Sequence, residues 1–347
     1  MRRTLMTHSG AAIGTIAALC CLPLVLSTPY QVHVAIMVGI YIVLALSYDL
    51  TVGHIGLLSF AHPVFFGAGA YLAAILAVTA GWQLSFPLMA LLAALVAAVL
   101  GIVIGVPSLR LSHHSFAIGT LGFTLIGGLI ATNWIPVTQG PMCVAGVPNA
   151  VLSLPGTGTF SFGDVRSYYY LILTLVVLTI LFYRALTTSR IGRAFHTVRD
   201  NEVLAQASGV NPWKYKMVSF VVGAAIAGGV GVFYAYYIGV VCPSEVSLYY
   251  MINLLVIVFL GGAGSLWGII FAAIIFTAVP ESLRVAPDLR LLIYGVILLV
   301  AITYMPQGLG AATTTGWRRL RLIRSLHARQ VVDSAYRSES PITGDRP

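Results

Sequence analysis

The sequence predicts an all-α polytopic membrane protein of about ten transmembrane helices, and three observations carry that prediction. Hydrophobic residues make up 59% of the 347-residue chain and charged residues only 8%. Apolar runs long enough to cross a bilayer recur along nearly its whole length, more apolar surface than a soluble domain can keep from water. The basic residues sit almost wholly between these runs and in the tail, as the positive-inside bias of membrane proteins produces. A β-barrel is excluded, because its strands would read as alternating segments of about ten residues. The net charge of +9 therefore reports orientation and points to no nucleic-acid partner.

The expected spans are 11–27, 31–49, 60–80, 84–106, 115–133, 167–184, 216–238, 246–261, 265–281 and 289–305. Arg2 and Arg3 ahead of the first run resemble a signal peptide. No small-x-small cleavage site follows, and another run begins almost at once, so an uncleaved first span is expected. Arg2 and Arg3, the Arg110 loop, the loop 185–215 and the seven arginines after Gly316 all belong on the cytoplasmic side. The number of crossings is then even, with both termini inside. That forces 246–281 to be two short spans meeting at Gly261-Gly262-Ala263-Gly264. Arg284 and Arg290 fall outside, beside Glu281 and Asp288. Residues 1–310 thus form the transmembrane domain and 311–347 a basic cytoplasmic tail.

Loop 134–166 is rich in Pro, Gly, Ser and Thr, has no helical period and belongs on the outer face. It reads either as a docking platform for an extracytoplasmic partner or as a solvated connector. Cys143 in this loop and Cys242 in another outer loop face an oxidising compartment, where a bond between them is conceivable. In the tail, Trp317, Leu320, Ile323 and Leu326 recur every three residues among arginines. Such a segment lies on the inner leaflet or contacts a protein; residues 332–347 read as disordered.

Ser189–Trp213 is a polar island between apolar runs. From Arg184 to Lys216 the chain gathers six of its nineteen basic residues against two acids, Asp200 and Glu202. Within it Asp200–Ser208 reads as a short helix, with Asp200 as its cap and Gly209 as its left-handed stop. Asn211-Pro212 turns the chain immediately afterwards. A short capped helix on the positive side suits a protein gripped by a cytoplasmic partner.

Two spans are interrupted by glycine and polar residues. One is Tyr48–Gly69, with Asp49, His54, Ser59 and His62; the other is Asn253–Gly268, with Gly261 and Gly264. Non-helical backbone at membrane depth survives only when buried in protein or lining a wet cavity, so such a pair points to a transport path. The plainer readings are an interfacial Asp49, buried and satisfied imidazoles, and glycines that let helices approach closely.

No enzyme constellation is present. The only lysines, Lys214 and Lys216, do not follow glycine, so there is no GxxxxGK[ST] phosphate loop, and HExxH and GxSxG are absent. The four cysteines form no CxxC pair and have no histidine at zinc-ligand spacing, so neither metal nor cofactor is expected. Any ATP used must be bound by a separate polypeptide. An ion-coupled transporter using Asp49, His54, His62 and Glu281 is the alternative, disfavoured by the scarcity of acids at mid-span.

These motifs, in order, resemble the M-type permease subunit of branched-chain amino acid ABC importers (LivM-like). The carriers are GHIGLLSFAHPVFFGAGAY (53–71), LRLSHHSFAIGTLGF (109–123), the core 189–235, GGAGSLWG (261–268) and PQGLGA (306–311), spread over roughly 260 residues. The resemblance implies an inner-membrane importer with a second permease subunit, two cytoplasmic ATPase subunits and an extracytoplasmic solute-binding protein. It implies that the short helix is the coupling helix seated in an ATPase cleft. Gly192, Arg193, Arg199, Asp200, Asn201, Glu202, Ala205, Ala207 and Gly209 fall on the family's loop pattern, with Arg193 and Arg199 expected to pair with carboxylates of the ATPase. The chain departs from the pattern at Asn253, where glutamate is usual, at His54 (aromatic) and at Ala61 (glycine). GPMCVAG (140–146) stands for GGPNGL. Similar proteins are expected to carry urea, short amides or small acids as well as amino acids.

Overall fold

The computed structural model describes residues 28–282 other than 83 and 155–157. The expected spans 11–27 and 289–305, and the whole tail, lie outside those residues. Helix α1 (Pro29–Asp49) starts on a capping box: Thr28 accepts from the Gln31 amide, and the Gln31 side chain accepts in return from the Thr28 amide. It runs on as a π-helical turn, Leu50–Ile55, which Gly56 ends with φ +81°. The chain is then extended to Ala61, where α2 (His62–Ala74) begins, itself closing in a π-helical turn, Ile75–Thr79. Helices α3 (Phe86–Ser108) and α4 (His113–Asn133) complete the first half.

The expected loop 134–166 is not irregular. It carries a single-turn helix α5 (Ile135–Thr138), strand β1 (Val144–Ala145) and the hairpin β2–β3 (Val151–Leu154 paired antiparallel with Gly158–Ser161). Periodicity missed these because two- to four-residue strands are too short to show a pattern. Helix α6 (Val165–Thr188) follows, then α7 (Arg190–Asp200) and α8 (Glu202–Ala207). Helix α9 (Pro212–Ile238) ends at Gly239 with φ +76°. Strand β4 (Val240–Val241) pairs with β1, and a Cys143–Cys242 disulfide joins the chain directly beside that pairing. Two short helices close the described chain, α10 (Leu248–Gly261) and α11 (Leu266–Ser282).

Among the described residues, six helices are long and apolar enough to cross a membrane. Helices α10 and α11, of 14 and 17 residues, span only about 21 and 25 Å against a hydrocarbon core of about 30 Å. They fall where two short spans meeting at Gly261–Gly264 are expected. The chain re-enters the bundle before α10 starts: Val246 is buried, and a Cβ built on Gly67 of α2 would lie 2.2 Å from its side chain.

The core is organised around α9, which packs against α3, α2 and α1. Its face of Gly223, Ala224, Ala227, Gly228 and Gly231 is buried, and small residues there bring backbones together. A Cβ on Gly69 would sit 2.0 Å from the Gly228 carbonyl oxygen, and one on Gly231 2.2 Å from the Phe66 oxygen. Gly69→Ala and Gly231→Ala are each expected to cost about 1–3 kcal/mol by overpacking. A lowered thermal midpoint of the detergent-purified protein checks this.

Candidate functional site

The site grows from the end of α1. Asp49 is fully buried although the helix around it is apolar, a placement that is costly unless the carboxylate finds partners. It finds three. The Gly264 amide donates to Oδ1 at 2.8 Å, the Tyr183 hydroxyl of α6 donates to Oδ2, and His54 Nδ1 lies 3.4 Å from Oδ2. Gly53 makes this possible, because a Cβ there would fall 2.0 Å from Asp49 Oδ1 and 2.4 Å from the Gly264 nitrogen. The carboxylate therefore ties the first glycine break to the second and to α6. π-Helical turns of the kind that carries Gly53 and His54 recur at functional positions.

Residues of loop 185–215 reach the same place. Ser189 caps α7 by accepting from the Ile191 and Gly192 amides. The inner face of α7 buries Gly192, Ala194, Phe195 and Val198, and the Phe195 ring packs edge-on against Tyr215 of α9. From the last turn Arg199 donates to the Gly53 carbonyl. The His196 ring lies 5.2 Å from that of His54. Burial, then the nearby His54 and Arg199, hold His196 below the usual histidine range. Arg199 was expected to reach outward to a partner's carboxylates. Its Nη1 is spent on the Gly53 carbonyl, while the residue as a whole stays exposed.

A cavity of about 540 Å³ opens here, lined by Val52, Gly56, Leu58, Ala117, Arg199, Phe259 and Ala263. The extended stretch beside it has partners inside the protein. The Phe60 amide donates to Thr120 Oγ1 at 3.0 Å, its carbonyl accepts from Thr124 Oγ1 at 2.5 Å, and the Ala61 amide donates to Ser59 Oγ. Two helical threonines thus satisfy backbone that lipid could not. His62 lies elsewhere: its Nε2 sits 2.7 Å from Ser47 Oγ, which donates to the Leu44 carbonyl, and its ring packs on Tyr48 and Phe65. Ser219 of α9 donates to the Leu50 carbonyl and holds the π-helical turn in place.

The remaining expected residues divide. Asp200 does not cap the short helix: it is the last residue of α7, and Asn201 caps α8 by accepting from the Val203 and Leu204 amides. Asn201 wins because it is the residue whose backbone is extended between the two helices. Glu202 pairs with Lys216, Ala205 is buried, and Gly209 has φ +79°. Arg193 is exposed and donates to the Thr188 carbonyl at 3.4 Å. The Asn253 amide donates to the Tyr249 carbonyl one turn back on its own helix. Gly261 serves packing: a Cβ there would lie 2.6 Å from Ile269 Cα. Tyr183, Thr120, Thr124, Ser47 and Ser219 were missed; each is an ordinary polar residue within an apolar helix. Among the described residues no cluster of His, Cys, Asp or Glu could hold a metal ion.

Interrupted helices joined through a buried carboxylate, with a capped helix pair resting on the joint, define a polytopic membrane transport chain. Comparison with known proteins gives the family. A family model described as the branched-chain amino acid transport system / permease component matches residues 30–302. The LivM high-affinity branched-chain amino acid transport system permease protein of Salmonella typhimurium is 33% identical over 297 residues, covering 80% of this chain and 69% of LivM. The Escherichia coli LivM protein is 32% identical over 298 residues with the same coverage, and the LivH permease of that organism 24% over 290 residues. No solved structure matches. The chain belongs to the branched-chain amino acid transport permease family and is LivM-like within it.

Proposed function

We infer that this chain is the membrane-spanning permease subunit of an ATP-driven importer of branched-chain amino acids or a related small polar solute. It sits in the bacterial inner membrane beside a second permease subunit. Two cytoplasmic ATPase subunits bind the ATP, and an extracytoplasmic protein delivers the solute. Loop 185–215 and both termini lie in the cytoplasm, and the Cys143–Cys242 end faces the oxidising exterior.

The observation that carries this reading is the surface of α8. Val203 and Leu204 are 73% and 62% exposed on a short helix whose ends are fixed by Asn201 and Gly209. Rigid exposed apolar residues rimmed by charge mark a protein contact, and LivM-like relatives are named as components of a transport system. Ion coupling through Asp49 has less support, because its oxygens already accept from donors of the same chain.

The full complex in proteoliposomes is expected to import radiolabelled leucine only with ATP present. Val203→Asp with Leu204→Asp should cut co-purification of the ATPase at least about tenfold, the cost of losing two buried contacts. Uptake driven by an ion gradient with no ATPase bound would overturn the reading.

A further inference from the structure

We propose that Asp49, Tyr183 and Arg199 are positioning residues that transmit movement of the cytoplasmic helix pair to both glycine breaks, and that Asp49 takes no part in binding the solute. The inference rests on the importer reading above and goes beyond it. Sequence reasoning put Arg199 in a partner-facing handle and Asp49 in a solute path, and passed over Tyr183; the geometry joins all three.

Arg199 grips the Gly53 carbonyl, one peptide group inside the π-helical turn. Gly53 lies directly against Asp49 and Gly264, with no room between them for a methyl group. Asp49 holds the Gly264 amide with one oxygen and the Tyr183 hydroxyl with the other. The path from α7 to the α10–α11 break therefore runs through backbone and hydrogen bonds, with no flexible side chain left idle in it. Gly262 and Gly264 have φ +88° and +87°, so the break is held in a shape that depends on what grips its amide. Asp49 is fully buried with Oδ1 and Oδ2 both occupied, which leaves it poorly placed to receive a solute ammonium. Displacing Arg199 by a small distance must strain or release the Gly264 amide. Packed networks with two discrete arrangements carry coupling in this way.

The test is the stoichiometry of the complete complex in proteoliposomes, leucine imported per ATP hydrolysed. The two donors sit on different carboxylate oxygens, and an asparagine at 49 replaces one of these acceptors with an NH2 group that itself donates, so one donor faces another. Asp49→Asn and Tyr183→Phe are both buried and cannot touch an ATPase. Each is expected to let ATP hydrolysis continue while leucine per ATP falls about tenfold, a typical allosteric coupling. Arg199→Gln should do the same, and Arg199→Lys, which keeps a charged donor, should recover most of the ratio. Should Asp49→Asn fail to assemble, Tyr183→Phe, which removes a single hydroxyl, decides alone. An unchanged ratio in Tyr183→Phe and Arg199→Gln overturns the proposal, as does a solute-affinity change at fixed ratio. Failure of the unmutated complex to import leucine with ATP instead overturns the importer reading itself.

Discussion

Replacing Gly53 with valine is expected to abolish uptake while leaving the protein in the membrane. The first atom added would fall 2.0 Å from Asp49 Oδ1 and 2.4 Å from the Gly264 nitrogen, separations no packed atoms tolerate. Either the carboxylate leaves Gly264, or the glycine break leaves α1. Overpacking costs about 1–3 kcal/mol, and freeing a buried charged acceptor from its donor costs about 1–3 kcal/mol more. Helix α9 touches the π-helical turn through Ser219, but its packing against α2 and α3 does not include the colliding atoms and should hold. The check compares membrane abundance, which should fall little, with leucine uptake, which should fall to background. Gly53→Ala should show most of the same loss. Gly122 of α4 provides the control: a Cβ there meets nothing within 4 Å, so Gly122→Ala should be neutral, or stabilising by up to about 1 kcal/mol through helix propensity.

The second large effect is expected from Cys143→Ser or Cys242→Ser. The bond joins residues 99 apart and is flanked by only two paired residues on each of β1 and β4, far too few to hold loop 134–166 alone. Loss of a native disulfide of this kind costs about 2–4 kcal/mol. The membrane spans already restrict the unfolded chain, so the lower part of that range applies. The measurements are the thermal midpoint with and without reductant, and thiol counting after non-reducing isolation. Two free thiols at these positions in protein from intact cells would refute placement of this end in the oxidising exterior.

The sequence made the spans legible because membrane helices write themselves as long apolar runs, and it made both breaks legible because Gly261–Gly264 and the stretch from Asp49 to His62 violate that pattern. Local signals such as Gly209 and the Asn211-Pro212 turn depend on neighbours one to three residues away and can be read directly. Even so, the cap of α8 was placed one residue early, since Asp200 and Asn201 are both good caps and only the backbone conformation chooses between them. Hidden altogether were contacts between distant positions. Tyr183 meets Asp49 across 134 residues, Thr124 meets Phe60 across 64, and Arg199 meets Gly53 across 146. No spacing rule links such pairs, and a tyrosine or threonine in an apolar helix has no local mark of its duty. The β1–β4 pairing was unreadable for the same reason, being two residues long and closed across the chain.

The bond between Asp49 and Gly264 spans 215 residues, and this sets a schedule for biogenesis. At about 5–20 residues per second of synthesis, roughly 10–40 s pass after the ribosome has made the aspartate before it makes the glycine that receives it. Throughout that interval a nascent carboxylate sits near the end of an apolar segment without the Gly264 amide, and until residue 183 is made it lacks the Tyr183 hydroxyl as well. Water, lipid headgroups or the insertion machinery must shelter it until then, so α1 of this chain should lodge less firmly on its own than its hydropathy suggests.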